Sequence, residues 1–248
     1  MSDAATPGTD RMPGLGRLYC VPTPIASGRP LEEDLGPRSI AIVAALDYVV
    51  AESARTARAF LKRLPLTRPL QSIEVVELNE HTPDSAIGEL LAPISAGRDA
   101  ANVSEAGCPG VADPGAKLVL AAHAAGVPVE PLVGPSALLL ALMGSGLNGQ
   151  CFAFAGYVPT DPPGRQRRLR ELAQRSRLNR ETILMIETPY RNQPLFEALI
   201  ATLQPQDLLC VAADLTGASQ SLATDRVSGW RQRRPTLPRL PTVFLFLA

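Results

Sequence analysis

The sequence predicts an α/β protein of two domains, each with a mainly parallel or mixed sheet and helices on its faces. Short apolar runs alternate with longer helical patterns from residue 18 almost to the end, the signature of strand–helix units rather than of a bundle or sandwich. Most of the apolar runs end in loops carrying Gly, Pro or a carboxylate, the way strands of such sheets end at a ligand-bearing edge. The run Gly144-Ser145-Gly146-Leu147-Asn148-Gly149 then breaks the alternation, which restarts after it. That run reads as a linker, giving domains at 17–146 and 147–248. A chain of 248 residues, 46% hydrophobic, is long enough for two real cores.

The elements follow in order. Residues 1–16 are rich in Gly, Pro, Thr and Asp without periodicity and read as a disordered leader. Leu18–Val21 is a strand, stopped by Pro22-Thr23-Pro24, since two prolines in three residues cannot continue a ladder. Ile40–Leu46 is helical, Tyr48–Ala51 a strand ending at Glu52-Ser53, and Thr56–Leu64 a helix. Val75–Leu78 is a strand ending at Asn79-Glu80-His81-Thr82, followed by a helix over 85–95 and a strand over Ala100–Val103. A helix at 116–125, a strand at Val127–Leu132 and a helix from Leu138 to Met143 complete the first domain. In the second, strands at 151–154, 183–186 and 208–212 alternate with helices at 165–177 and 194–203. Late β-like segments, notably Thr242–Phe246, close the chain.

Composition narrows the function classes. The formal net charge is zero, so strong electrostatic binding to nucleic acid is not demanded, although a local basic patch remains open. Cys20, Cys108, Cys151 and Cys210 lie far apart without a C-x-x-C, which points to neither a metal site nor a disulfide framework. The sequence shows no membrane-length apolar run and no signal pattern, so a soluble cytoplasmic protein is expected. Lys62 and Lys117 are the only lysines, and an arginine bias of this kind weakens any argument from arginine clusters.

The stretch Ser104–Gly115 carries the strongest local signal, with three Gly and two Pro in twelve positions between a strand and a helix. Glycine removes the Cβ that would hold a ligand off the backbone, and proline fixes the loop's shape. It is neither a phosphate-binding P-loop nor a dinucleotide fingerprint. It reads as a small-ligand loop, with a structural turn as the alternative.

Five segments in order carry a resemblance: Val21-Pro22-Thr23-Pro24-Ile25, Ala51-Glu52-Ser53, Ser104–Pro109 with Ala112–Gly115, Val133-Gly134-Pro135-Ser136-Ala137, and Glu187-Thr188-Pro189-Tyr190-Arg191. Together they resemble the tetrapyrrole methylase superfamily of S-adenosylmethionine-dependent methyltransferases. Within it, they are most similar to the branch that 2′-O-methylates a cytidine of small-subunit ribosomal RNA. The resemblance implies two αβα domains with the cofactor in the cleft between them, a homodimer, and structured RNA of the small ribosomal subunit as partner. It implies that S-adenosylmethionine is held by the loop Ser104, Glu105, Ala106, Gly107, Cys108 and Pro109, with Val111 and Asp113, and by the turn Gly134, Pro135, Ser136, Ala137 and Leu138. From the second domain it implies Glu187, Thr188, Ala213, Leu215, Pro241 and Thr242, and it places Pro22, Thr23 and Pro24 near the substrate. A side chain at Gly134 is expected to stand where the cofactor's atoms belong.

The chain departs from that branch at several of these loops. Ala51-Glu52-Ser53 stands for Ala-Glu-Asp, and Glu105-Ala106-Gly107-Cys108 for Asp-Ala-Gly-Thr. Asn79-Glu80-His81 reduces a His-x-His pattern, and Ala213-Asp214-Leu215-Thr216-Gly217 replaces Arg-Glu-Leu-Thr-Lys. The resemblance therefore carries donor binding further than substrate identity, and leaves open a small-molecule acceptor such as a tetrapyrrole, or a donor-binding protein without catalysis.

Methyl transfer to a hydroxyl needs alignment and a base. His81, in a strand-end loop, suits that role, against the alternative of a loop histidine bonded to its neighbours; His123, inside a helix, reads as structural. Glu52 and Glu105 end strands and suit orientation of donor or substrate, and Glu52 joins His81 and Arg191 as a catalytic candidate. Asp113, ahead of Pro114, reads as a cap of the next helix or as a ligand contact. Cys108 lacks a His–Asn partner pattern and reads as a small residue rather than a nucleophile. Arg191 suits a phosphate or carboxylate, and the run Arg165, Arg167, Arg168, Arg170, Arg175 and Arg177 suits either an RNA backbone or a solvated helix.

Overall fold

The computed structural model describes residues 14–248, so the leader read at 1–16 lies outside the described residues except for its last three. Those three are placed: Gly16 donates its N–H to Ile94 O at 2.8 Å, and a Cβ on Gly16 would run into the Arg98 backbone. The described chain forms two compact units, one holding Arg29–Pro135 with the residues up to Pro24, the other Ile25–Gly28 with Ser136–Ala248.

In the first unit the strands are β1 (Leu18–Val21), β2 (Tyr48–Ala51), β3 (Glu74–Glu77), β4 (Ala100–Val103) and β5 (Val129–Pro131). They interleave with helices α1 (Pro37–Ala45), α2 (Ala54–Leu61), α3 (Ile87–Ser95) and α4 (Gly115–Ala124). The sheet order is β3-β2-β4-β1-β5, and every pairing is parallel. Its strands are nearly continuous apolar runs because both faces are covered. Val21, Val49, Ala51, Ala101 and Val103 pack with Ile40, Val43, Phe60 and Leu61 of α1 and α2. The alternate residues Leu18, Tyr48, Val50 and Ala100 pack with Leu91, Ile94, Leu118 and Ala122 of α3 and α4.

This winding locates the site. The helices after β1 and β2 lie on one face and the helix after β4 on the other, so β4 differs from both of its neighbours. Chain ends diverge there, and a crevice opens at the carboxyl ends of the strands.

The second unit contains α5 (Ala137–Ser145), β6 (Phe152–Phe154), α6 (Pro162–Asn179), β7 (Thr182–Glu187), α7 (Asn192–Thr202), β8 (Leu208–Ala213), β9 (Ser221–Arg226), α8 (Val227–Arg233) and β10 (Thr242–Leu247). The sheet order is β6-β7-β10-β8-β9. It is mixed: β6 runs parallel to β7, while β10 is antiparallel to both β7 and β8, and β9 to β8. The last strand lies mid-sheet, which explains its unbroken Thr-Val-Phe-Leu-Phe-Leu. Phe244 and Phe246 are fully buried, each worth about 1.5–3 kcal/mol of burial. One face is covered by α5 through Ala141 and Leu142. The other is covered by α6, α7 and α8, with Phe196 and Trp230 edge to face at 5.5 Å.

Because α5 packs on this sheet, the chain divides between Pro135 and Ser136, ahead of the glycine run that suggested residue 146. That run instead ends α5, with Gly146 at φ 71° as its left-handed cap.

Candidate active site

The loop after β4 is braced from the β1 end. Thr23 and Gly107 exchange backbone hydrogen bonds at 2.9 and 3.0 Å, forming an antiparallel bridge. The Thr23 hydroxyl donates to Ser104 O at 3.3 Å, and the Ser104 hydroxyl turns back to Ala106 O and Gly107 O at 3.3 and 3.2 Å. Gly107 sits at φ 77°, a conformation that side chains make costly. The Cys108 thiol donates to Pro135 O at 3.4 Å, tying this loop to the β5 end. Burial, then the charge of Asp113, pushes that thiol up, the reverse of an activated nucleophile.

Two expectations change here. Pro22 and Thr23 are buried and spent on bracing, so of the three residues placed near substrate only Pro24 is partly open. A Cβ at Gly134 would stand 2.8 Å from Pro22 Cγ and 3.0 Å from Leu35 Cδ2. The missing side chain there makes room for the β1 loop.

Asp113 staples the far side of the loop. Its carboxylate accepts the N–H of Gly110 at 2.9 Å and of Gly115 at 2.7 Å. Burial nevertheless raises its pKa, the backbone donors opposing. The capping reading holds in modified form, since Asp113 sits one position before the helix cap Pro114. Buried Asn102, which no sequence signal marked, donates to Gly115 O at 3.4 Å and fixes the entry to α4.

Beside this loop the ends of β2, β3 and β4 enclose a groove of about 680 Å³ lined by Glu52, Asn79, Glu80, His81, Glu105, Ala112, Asp113, Pro114 and Lys117. Glu52 accepts the Glu105 N–H at 3.4 Å. Burial raises its pKa first, and the charges of Glu105, Asp113 and Glu80 add to that against the Glu105 N–H. His81 also faces the groove, but its side chain is 85% exposed, with Nε2 3.6 Å from Glu80 and its backbone N–H on Asn79 Oδ1. Ser53, where the related branch has Asp, caps α2 by accepting the Thr56 N–H.

The second unit gathers its own set at one sheet edge. Glu187 ends β7, Thr242 opens β10 beside it, and Ala213 ends β8 on the other side of Thr242. Asp214 donates its N–H to Pro241 O at 2.9 Å, and Leu215 is buried below. The Glu187 side chain is 0% exposed. Its Oε1 accepts the Thr188 N–H at 2.8 Å and Arg191 Nε at 2.9 Å. Glu187 Oε2 is buried without a partner, as is Asn192 Oδ1. Asn192, missed in the sequence, anchors the chain before β10 through Leu240 O and Thr242 Oγ1 at 2.8 and 3.0 Å; a polar residue at the first position of the helix is its only trace. Ser136 caps α5, so Ser136, Ala137 and Leu138 start that helix.

In the arginine run of α6 only Arg165 is buried; the others lie at the surface, several of them in ion pairs. Arg165 donates to Pro159 O and Thr160 O, Arg175 pairs with Glu181 and Arg177 with Asp207. Arg167 and Arg170 remain exposed on the helix.

These residues fit a nucleoside-type methyl donor. Taken separately, the first unit offers loop backbone with a glycine at positive φ, and the second a buried Glu187 oxygen without a partner, a costly state that a donor group would relieve. Among the described residues no three His, Cys, Asp or Glu are placed to hold a metal ion, and no helix is long and apolar enough to cross a membrane.

Comparison with known proteins identifies the family and the fold. The family model described as tetrapyrrole (corrin/porphyrin) methylases matches residues 17–228. A Synechocystis protein named ribosomal RNA small subunit methyltransferase I is 35% identical over 202 residues, 82% of this chain and 68% of its own. A Xylella fastidiosa protein of the same name is 35% identical over 201 residues, 81% and 69% of the two chains. Among solved structures, the methyltransferase CobJ superposes with TM-score 0.59 at 21% identity, covering 93% of each chain. Uroporphyrin-III C-methyltransferase from Thermus thermophilus, complexed with S-adenosylhomocysteine, superposes with TM-score 0.58 at 18% identity, covering 93% and 97%. At these identities the two structures speak for the fold alone.

Proposed function

This chain belongs to the tetrapyrrole (corrin/porphyrin) methylase family and is an S-adenosylmethionine-dependent methyltransferase, and from that premise we propose that it methylates a ribose 2′-hydroxyl of small-subunit ribosomal RNA. The observation that carries the acceptor is the 35% identity, over 82% of the chain, to a relative named for that RNA. The buried, proline-locked β1 loop also supports it over a tetrapyrrole acceptor, whose relatives are expected to have a Gly-rich loop at that place.

The donor, when bound, supplies a methyl group made electrophilic by its sulfonium. Backbone groups of Ser104–Pro109 and of the Gly134–Leu138 turn would hold it, with Glu187, Thr188, Ala213, Leu215, Pro241 and Thr242. Glu52 is the general base of this reading, preferred to His81 because burial has already weakened its hold on the ionised form. It takes the hydroxyl proton as the oxygen bonds to the methyl carbon, and the carbon–sulfur bond breaks with its electron pair left on sulfur. Alignment by a braced loop provides much of the rate in such a displacement. Arg191, tied to Glu187, positions that carboxylate rather than meeting a phosphate.

A cytoplasmic homodimer belongs to the same reading. Helix α5 is apolar on every side, yet Leu139 and Met143 stand exposed on it, which supports α5 as the dimer face.

The test incubates the protein with methyl-labelled donor and either small ribosomal subunits or a precorrin-like tetrapyrrole. Label in a 2′-O-methyl nucleoside after nuclease digestion is expected. Label only in the tetrapyrrole, or donor binding without turnover on either acceptor, overturns it.

A further inference from the structure

Arginines lie over four aromatic rings among the described residues: Arg17 over Tyr19, Arg98 over Tyr48, Arg191 over Tyr190 and Arg233 over Trp230. Two of these have an evident structural purpose. Tyr48 is 2% exposed and its hydroxyl donates to Leu90 O; Trp230 is 5% exposed and its indole N–H donates to Leu209 O. Tyr19 is half-buried against the first unit's core. Tyr190 differs from all three, being 65% exposed and outside every core cluster.

The partner of this ring is unusually fixed. The Arg191 guanidinium carbon lies 5.3 Å from the Tyr190 ring centroid. Its Nε and Nη2 bond Glu187 Oε1 at 2.9 and 2.7 Å, and that carboxylate is wholly buried at the end of β7. A guanidinium tethered this way is held beside the ring, while the ring itself stays 65% exposed. The guanidinium charge is largely answered by Glu187, so the pair offers a flat, rigid, nearly neutral surface. Unpaired RNA bases stack on surfaces of this kind, aromatic rings and guanidinium planes together.

We propose that Tyr190, backed by Arg191, is a stacking platform for an unpaired nucleobase of the RNA acceptor. The proposal rests on the RNA reading above and deepens it. Tyr190 follows Glu187 by one short turn (Pro189–Arg191), so the platform sits at the same sheet edge of the second unit as the orphaned carboxylate oxygen.

The experiment measures binding of small ribosomal subunits, and of a single-stranded RNA oligonucleotide, by wild type, Tyr190→Ala and Tyr190→Phe across a salt series. Tyr190→Ala should weaken RNA binding roughly tenfold, with the slope of log affinity against log salt unchanged, because no phosphate contact is lost. Tyr190→Phe should bind as wild type, and donor affinity and melting temperature should be the same in all three. RNA binding by Tyr190→Ala within twofold of wild type, or a loss that Phe does not rescue, overturns the platform while leaving the RNA acceptor standing. A wild-type protein that binds donor but neither RNA probe overturns the acceptor reading itself.

Discussion

The two sheet edges that carry the candidate residues solve the same problem in opposite ways. In the first unit the loops satisfy one another: Thr23 with Gly107, Ser104 with its own turn, Asp113 with Gly110 and Gly115. In the second unit buried acceptors, Glu187 Oε2 and Asn192 Oδ1, are left without partners. A parallel sheet brings five carboxyl ends to one edge, so its loops can brace each other. The mixed sheet brings the ends of β7 and β8 together with the starts of β10 and β9, and leaves those two acceptors unmatched. One edge is satisfied from within the chain; the other keeps buried acceptors unpaired.

The largest expected effect separates chemistry from binding at the first edge. Glu52→Gln should lower turnover roughly 10²-fold with donor affinity unchanged by calorimetry, and the wild-type rate should fall as pH drops through the raised Glu52 pKa. Should His81→Ala produce that loss instead, the base belongs to the exposed turn and not to the braced edge. Gly134→Val comes next. Overpacking against Pro22 and Leu35 should cost about 1–3 kcal/mol, a fall of several degrees in melting temperature, with donor affinity falling alongside. An unchanged melting temperature would mean the loops do not brace each other. Glu187→Gln keeps the shape of the second edge but places an amide where an ionised oxygen stood. Donor affinity should drop about tenfold while melting changes little; a stability loss without an affinity loss would make Glu187 purely structural. The smallest effect is again at Glu52. Its raised pKa contributes stability present below the unfolded value and lost as pH rises through the folded one. Glu52→Gln should therefore melt slightly above wild type at neutral pH and level with it in acid.

Much of this was legible in the sequence. The strands of the first unit were readable because two-sided burial makes them short apolar runs bounded by Pro, Gly or carboxylates. The loops they end in were readable for the same reason. What escaped was set by partners distant in the chain. The edge strand β9, Ser-Leu-Ala-Thr-Asp-Arg, is mostly exposed and carries too little apolar alternation to be seen, and α8 beside it is short and polar outside Val227 and Trp230. The role of Gly134 depends on Pro22, which no local pattern reveals. Of the α6 arginines, Arg175 and Arg177 pair with Glu181 and Asp207, which lie beyond the helix and could not be read from it. Tyr190 gave no signal because exposure is a property of the fold alone.

The hydrogen bond from Thr23 to Ser104 joins residues 81 positions apart. During synthesis, then, the β1 loop waits through three strands before the segment it shapes exists. A fragment ending before β4 lacks this bracing; the β4 loop is braced only when β4 has slotted in beside β1. If the donor binds this loop as proposed, its affinity reports on completed assembly, and binding only the finished sheet pulls nascent chains toward it by mass action. Cells poor in S-adenosylmethionine should accumulate less folded protein, not only less active protein.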